Sequence, residues 1–269
     1  LFLVLVLGFW LKNRSLHAKV TELDKRIRVG AVSYLNTRPL LYGIRRSGLM
    51  EKIELKEEYP ARIARMLLED EIDVGLVPVA IIPKLKEAYI ITDHCIGTND
   101  EVASVAIFSE VPMEEITTVL LDYQSRTSVN LARVLLKEYW KKEVILEDAR
   151  EDFRSHIKGT TAGVVIGDRA LEQRTLSAYT YDLGLAWKAH TGLPFVFAAW
   201  VANKPLGEDF EDAFNRANGY GLHHIDEIVA ETNCSLYDLK TYYTRNISYE
   251  LDEAKRQGLA LFLQKLTHL

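Results

Sequence analysis

The run Ser125-Arg126-Thr127-Ser128 joins three hydroxyls to one guanidinium at the head of an amphipathic stretch. At a helix N-terminus, where the first amides have no intrahelical partner, such a cluster suits a planar carboxylate. A helix cap alone would need only Thr127 or Ser128, so the surplus points to anion binding. A second polar cluster, Ser33-Tyr34-Leu35-Asn36-Thr37-Arg38-Pro39, follows the apolar run IRVGAV. Asn36 or Thr37 can cap a helix there with Pro39 in its first turn, but Ser33 and Tyr34 exceed that need and sit where a strand end would face a ligand. Ser104 interrupts an apolar run over residues 102–108. Its hydroxyl is open between a bond to a neighbouring carbonyl and contact with a ligand. Gly167-Asp168-Arg169 follow the apolar segment 164–166: the glycine admits close backbone approach, and Asp168 supplies a carboxyl beside these loops. Asp168 can equally cap the next helix or pair with an arginine.

Other chemistries find little support. The net charge is -5, with 33 Lys and Arg against 38 Asp and Glu, which gives no electrostatic case for nucleic acid. Cys95 and Cys234 lie far apart without CxxC spacing, so neither a disulfide framework nor a zinc site is expected, and both read as core thiols. The seven histidines include no HExxH, and no metal is expected. A glycine-rich phosphate loop and a GxSxG nucleophile elbow are both missing, which argues against nucleoside triphosphates and serine hydrolysis. The aromatic set Tyr181, Trp187, Phe195, Phe197 and Trp200 reads as core or packing between lobes.

The elements that must position these residues alternate short β-branched runs with amphipathic stretches, the pattern of an α/β protein with mainly parallel sheets. Strands are expected over 27–32, 53–59, 74–77, 102–108, 118–122, 144–146 and 163–166. Helices are expected over 38–48, 61–69, 129–140, around 151–157, and over 181–190. Residues 194–203 (PFVFAAWVAN) form an apolar run long enough to cross between lobes, and the chain then reads as helical over 208–228, 235–245 and 250–266.

With 48% hydrophobic and 26% charged residues in 269, the chain can bury a substantial core. Two long apolar strands in place of a flexible linker suggest two lobes interleaved in sequence, 27–108 plus 199–269 and 109–198. Ligands of open α/β sheets bind beyond the carboxyl ends of strands, so the polar loops should converge on a cleft between the lobes. Residues 1–26 stand apart: eleven uncharged apolar residues, LFLVLVLGFWL, precede Lys12 and Arg14, too short to span a bilayer and with charges on the wrong side for a secretory signal. Upstream or misplaced sequence, the end of a membrane anchor, and a packed element are the three readings of this extension.

The segments VGAVSYLNTRPLLYG, DVGLVP, SVAIFS, LDYQSRTSVNLARVLL, VVIGDRAL and YDLGLAWKAHTGLPFVFAAWV, in that order over residues 29–201, resemble the chorismate dehydratase family of the futalosine route to menaquinone. SYLNTRP and SRTS are the specific blocks. The segment after Pro78 (Val79, Ala80, Ile81) departs from the family by lacking a serine. The resemblance implies a type II periplasmic-binding-protein-like fold, two lobes with mixed, mainly parallel sheets around a central cleft. It also implies a cytoplasmic, cofactor-independent lyase that removes water from chorismate, with no membrane partner for the folded domain. On that reading Arg126, Thr127 and Ser128, with Ser125 and Gly167 beside them, hold a substrate carboxylate. Ser104 and Ser33 fix the ring or the second carboxylate, and Asn36 acts near the leaving hydroxyl. The base is Asp168 or the substrate's own enolpyruvyl carboxylate. Two alternatives stand: the dihydroxynaphthoate synthase of the same route and a non-catalytic solute-binding protein.

Overall fold

The computed structural model describes residues 26–151 and 153–269, so the reading of an N-terminal extension lies, except for Arg26, outside the described residues. The chain opens with β1 (Ile27–Val32), α1 (Arg38–Arg46), β2 (Ile53–Glu58), α2 (Pro60–Leu68), β3 (Val74–Pro78) and β4 (Tyr89–Thr98). Prolines stand at the starts of both helices, Pro39 and Pro60, where a missing amide hydrogen costs nothing. After β4 the chain crosses to a second sheet through β5 (Val105–Ser109), β6 (Thr118–Leu121), α3 (Thr127–Glu138), β7 (Ile145–Asp148), β8 (Thr161–Ile166), α4 (Asp168–Gln173), β9 (Tyr179–Asp182) and α5 (Leu183–Thr191). It returns along β10 (Phe195–Ala202) and ends in α6 (Glu208–Leu222), α7 (Ile225–Glu231), β11 (Ser248–Glu250) and α8 (Glu253–Leu266).

The first sheet has the strand order β11-β4-β10-β3-β1-β2 and the second β7-β6-β8-β5-β9. Every residue of β3 and β10 is buried, because these two neighbours lie at the centre of the first sheet with both faces covered. That explains why the run PFVFAAWVAN reads as continuously apolar. Each fully buried Val, Leu or Phe there contributes roughly 1.5–3 kcal/mol relative to exposure. Trp187, Phe195 and Phe262 pack edge to face in the core, as do Trp200 and Phe214, and Cys95 is buried among them in the same core.

Several expectations need correction. The sheets are mixed, as the resemblance implies, but parallel pairings do not predominate in them. β1 runs parallel to β2 and β3, and β6 to β7 and β8. The strands entering from the other lobe, β5 and β10, run antiparallel to their neighbours. The crossings also come earlier than 108 and 198: β5 already belongs to the second sheet and all of β10 to the first. Residues 102–104 are not strand, because the buried Asp182 carboxylate accepts the Val102 and Ala103 amides at 3.1 and 2.8 Å, and Ala103 takes a positive φ of 63°. The same carboxylate caps α5 through the Gly184 and Leu185 amides, so residues 181 and 182 are strand and cap rather than helix. Burial pushes the Asp182 carboxyl up to about 6. The expected helix over 208–228 breaks at His223 and His224, and 235–245 contains only a turn followed by a π-helical segment, Tyr242–Asn246. Among the described residues no helix is long and apolar enough to cross a membrane.

Candidate functional site

The loops after β1, β6 and β8, the end of β3 and the crossing segment before β5 line a cavity between the sheets. Asn36, Ser104, Ser125, Arg126, Thr127, Ser128 and Gly167 all line it, together with Tyr34 and Phe197. Ser33 does not. Alternation along β1 puts Val32 and Tyr34 on the cavity side and leaves Ser33 exposed, its amide continuing the ladder to the Glu58 carbonyl at 3.1 Å.

On the wall from the second sheet, Ser125 Oγ accepts the Ser128 amide at 3.1 Å and so performs the capping assigned above to Thr127 or Ser128. Those two side chains are thereby free for other work, and both are buried at the cavity. Thr127 Oγ1 accepts the Ala80 amide at 3.2 Å, tying the start of α3 to the loop after β3. Here a backbone amide does the bridging, in the loop that lacks the family's serine. Arg126 is exposed at the rim, its Nη1 held by the Ser125 carbonyl at 2.8 Å and the Tyr123 carbonyl at 3.3 Å. Its remaining donors, with the N-terminal end of α3, make this wall electropositive.

The opposite wall carries no charge. Asn36 Oδ1 accepts the Thr37 hydroxyl at 3.3 Å, and its backbone carbonyl accepts the Tyr249 hydroxyl at 2.9 Å. Ser104 is fully buried and takes a hydrogen bond from the Tyr242 hydroxyl at 2.7 Å. Tyr34 donates to Gln124 Oε1 across the seam, and Gln124 Oε1 also accepts from Arg169 at 2.9 Å. Arg169 in turn holds both oxygens of the buried Asp122 at 2.9 and 2.8 Å, so the arginine is committed to structure. Burial raises the Asp122 carboxyl; Arg169 and the Gln124 and Ile166 amides oppose that rise.

Gly167 and Asp168 lock the seam. Gly167 has φ +66°, and a Cβ on it would meet the Tyr34 ring at 2.7 Å, so only glycine fits. Asp168 neither caps α4 nor pairs with an arginine. Its oxygens accept the Leu35 amide at 3.0 and 3.3 Å from the other lobe, and it stands behind the cavity lining. Burial raises its carboxyl above the usual range, with the Leu35 amide, Arg38 and Arg169 opposing the rise. Among the described residues no three His, Cys, Asp or Glu side chains are grouped to hold a metal ion. The arrangement can bind an anion on one wall and offer hydrogen bonds to uncharged or partly charged oxygens from the other.

The sequence profile of the menaquinone biosynthesis family matches residues 27–268. The chain belongs to the menaquinone biosynthesis family. Relatives within reach include a protein of Thermus thermophilus named chorismate dehydratase, 27% identical over 262 residues and covering 88% of this chain and 94% of its own. A Campylobacter jejuni protein with the same name is 25% identical over 243 residues, covering 87% and 95%. The fold of this menaquinone biosynthesis family member is periplasmic-binding-protein-like. A protein of Archaeoglobus fulgidus superposes with a TM-score of 0.67 at 14% identity, covering 90% of this chain and 97% of its own. The periplasmic aliphatic sulphonate binding protein of Escherichia coli does so at 0.55 and 14%, covering 90% and 93%.

Tyr242, Tyr249, Gln124, Asp122 and Asp182, which orient the family member's cavity residues or its crossing segment, were not singled out as site residues from sequence. Tyr242 and Tyr249 lie more than 130 residues from their partners Ser104 and Asn36 and carried no local signal. Asp182 did carry one, as an acid directly before a helical run.

Proposed function

We propose that this protein is a chorismate dehydratase, removing water from chorismate to give 3-[(1-carboxyvinyl)oxy]benzoate. The observation that carries the reading is the asymmetry of the cavity's polar groups: Arg126 and the start of α3 on one wall, and uncharged hydroxyl, phenol and amide groups among apolar side chains on the other. Chorismate has two carboxylates and one hydroxyl. Its ring carbon bearing the enolpyruvyl ether loses a proton, the neighbouring hydroxyl departs, and the ring becomes aromatic. Driving force is therefore not what the protein must supply; orientation and stabilisation of developing charge are. The two relatives named chorismate dehydratase support the assignment at low identity.

On this reading Arg126, Thr127 and Ser128 hold a carboxylate, Ser104 fixes the ring or the second carboxylate, and Asn36 addresses the departing hydroxyl. Ser33 drops out, since it faces solvent. The engagement of both Asp168 oxygens with the Leu35 amide favours the substrate's enolpyruvyl carboxylate as the base. A cytoplasmic location accompanies this assignment and is checked by cell fractionation. Incubation of the purified protein with chorismate, followed by ultraviolet absorbance, is expected to give the aromatic product. Binding of chorismate without product would instead favour a solute-binding protein. Turnover of cyclic dehypoxanthine futalosine alone would favour the dihydroxynaphthoate synthase.

A further inference from the structure

Ser104 lines the cavity, yet its hydroxyl is not shaped by its own loop. The Ser104 amide donates to the Val102 carbonyl at 2.8 Å, and its carbonyl accepts the Gly167 amide at 2.8 Å, so the backbone is pinned on both sides. The side chain is left to one partner, the Tyr242 hydroxyl at 2.7 Å. Tyr242 is fully buried and opens the π-helical segment Tyr242–Asn246, a wide turn of a kind that recurs at functional sites. The Asn36 side chain stands beside the same phenol. Because the phenol's hydrogen occupies a lone pair of Ser104 Oγ, the serine's own hydrogen must find another acceptor. Among the described residues no protein acceptor takes it, and Ser104 is one of the residues that line the cavity.

We propose that Tyr242 is a positioning residue that fixes the Ser104 hydroxyl so that its hydrogen points at the substrate oxygen gathering negative charge. This rests on the dehydratase reading. In the step, the ring C–H bond breaks, its proton goes to the base, and the released pair is delocalised through the ring double bonds onto the ring carboxylate. As that pair returns to complete the aromatic ring, the C–O bond breaks, and the departing hydroxide takes that proton to leave as water. Ser104 donates a hydrogen bond throughout and keeps its proton; Tyr242 stays a neutral phenol, as its burial demands. A hydroxyl chain of this kind strengthens each link by polarising the next.

The test is a double-mutant cycle with Tyr242→Phe and Ser104→Ala, rates being normalised to the fraction of protein that binds chorismate. Tyr242→Phe is expected to lower kcat about tenfold with KM unchanged, and Ser104→Ala about a hundredfold. The double variant should be no slower than Ser104→Ala. Tyr243→Phe, which removes the neighbouring buried phenol whose oxygen has no partner among the described residues, should leave kcat as it is. Wild-type kcat in Tyr242→Phe, or losses that multiply in the double variant, would overturn the role and leave the dehydratase assignment standing. Absence of wild-type turnover would overturn both.

Discussion

The two walls of the cavity are built from the same kind of junction, a strand followed by a polar loop and a helix, and they do opposite things. After β6, the loop spends Asp122, Gln124 and Ser125 on holding itself in place and presents Arg126 and a helix N-terminus. After β1, the 3₁₀ turn Leu35–Thr37 precedes α1 without a side-chain cap, and the loop presents Tyr34 and Asn36 with no charge. On the proposed reading, one wall recognises an anion by electrostatics. The other offers directional hydrogen bonds from uncharged groups. The difference teaches that capping residues and ligand residues are separable: where one side chain satisfies the helix, its neighbours become available to substrate.

If the uncharged wall carries the chemistry, Asn36→Ala should give the largest loss, about 10²–10³-fold in kcat with little change in KM. If the charged wall carries recognition, Arg126→Gln should instead raise KM roughly 10- to 100-fold and leave kcat within a few-fold, from loss of a charge-assisted contact. Steady-state kinetics on these two variants would break the comparison if the effects were exchanged. Gly167→Ala tests whether the walls must meet. A Cβ against the Tyr34 ring should cost about 1–3 kcal/mol of lobe closure, seen as a roughly tenfold lower kcat/KM and a weaker thermal shift on adding chorismate.

Asp168→Asn sharpens the comparison by asking whether the seam also supplies the base. With the substrate's carboxylate as base, turnover should stay within about threefold, because Asn keeps an acceptor for the Leu35 amide. The stability consequence has a definite sign. A carboxyl raised in the folded state favours folding most when protonated, so the wild type loses stability relative to the variant as pH rises from about 4 through the raised value. Thermal melts of both proteins across that window would check it. Ser33→Ala should have the smallest effect, with kinetics and melting temperature unchanged, since its side chain faces solvent.

Much of the architecture was legible along the chain. The strands 27–32 and 74–77 and the helices beginning near 38, 61 and 129 were visible, within a residue or two of their observed ends, from apolar runs, prolines and polar junctions, because those signals act within a few residues. The edges of the crossing segments were not. Residues 102–104 look like strand until Asp182, some 80 residues on, supplies acceptors for their amides. Ser33 and Tyr34 were indistinguishable by composition; only the register of β1 against β2 decides which faces inward.

By itself the sequence determined the two-lobed α/β plan, the order of its loops and the concentration of hydroxyls with one arginine at Ser125–Ser128, since these follow from local periodicity and residue chemistry. The tertiary structure decided which of those groups share a cavity. It took Ser125 for the cap, turned Ser33 outward, spent Asp168 on the Leu35 amide and set Tyr242 behind Ser104. Most of these assignments depend on hydrogen bonds between residues far apart in the chain, whose partners are chosen only when the lobes pack and buried polar groups compete for them.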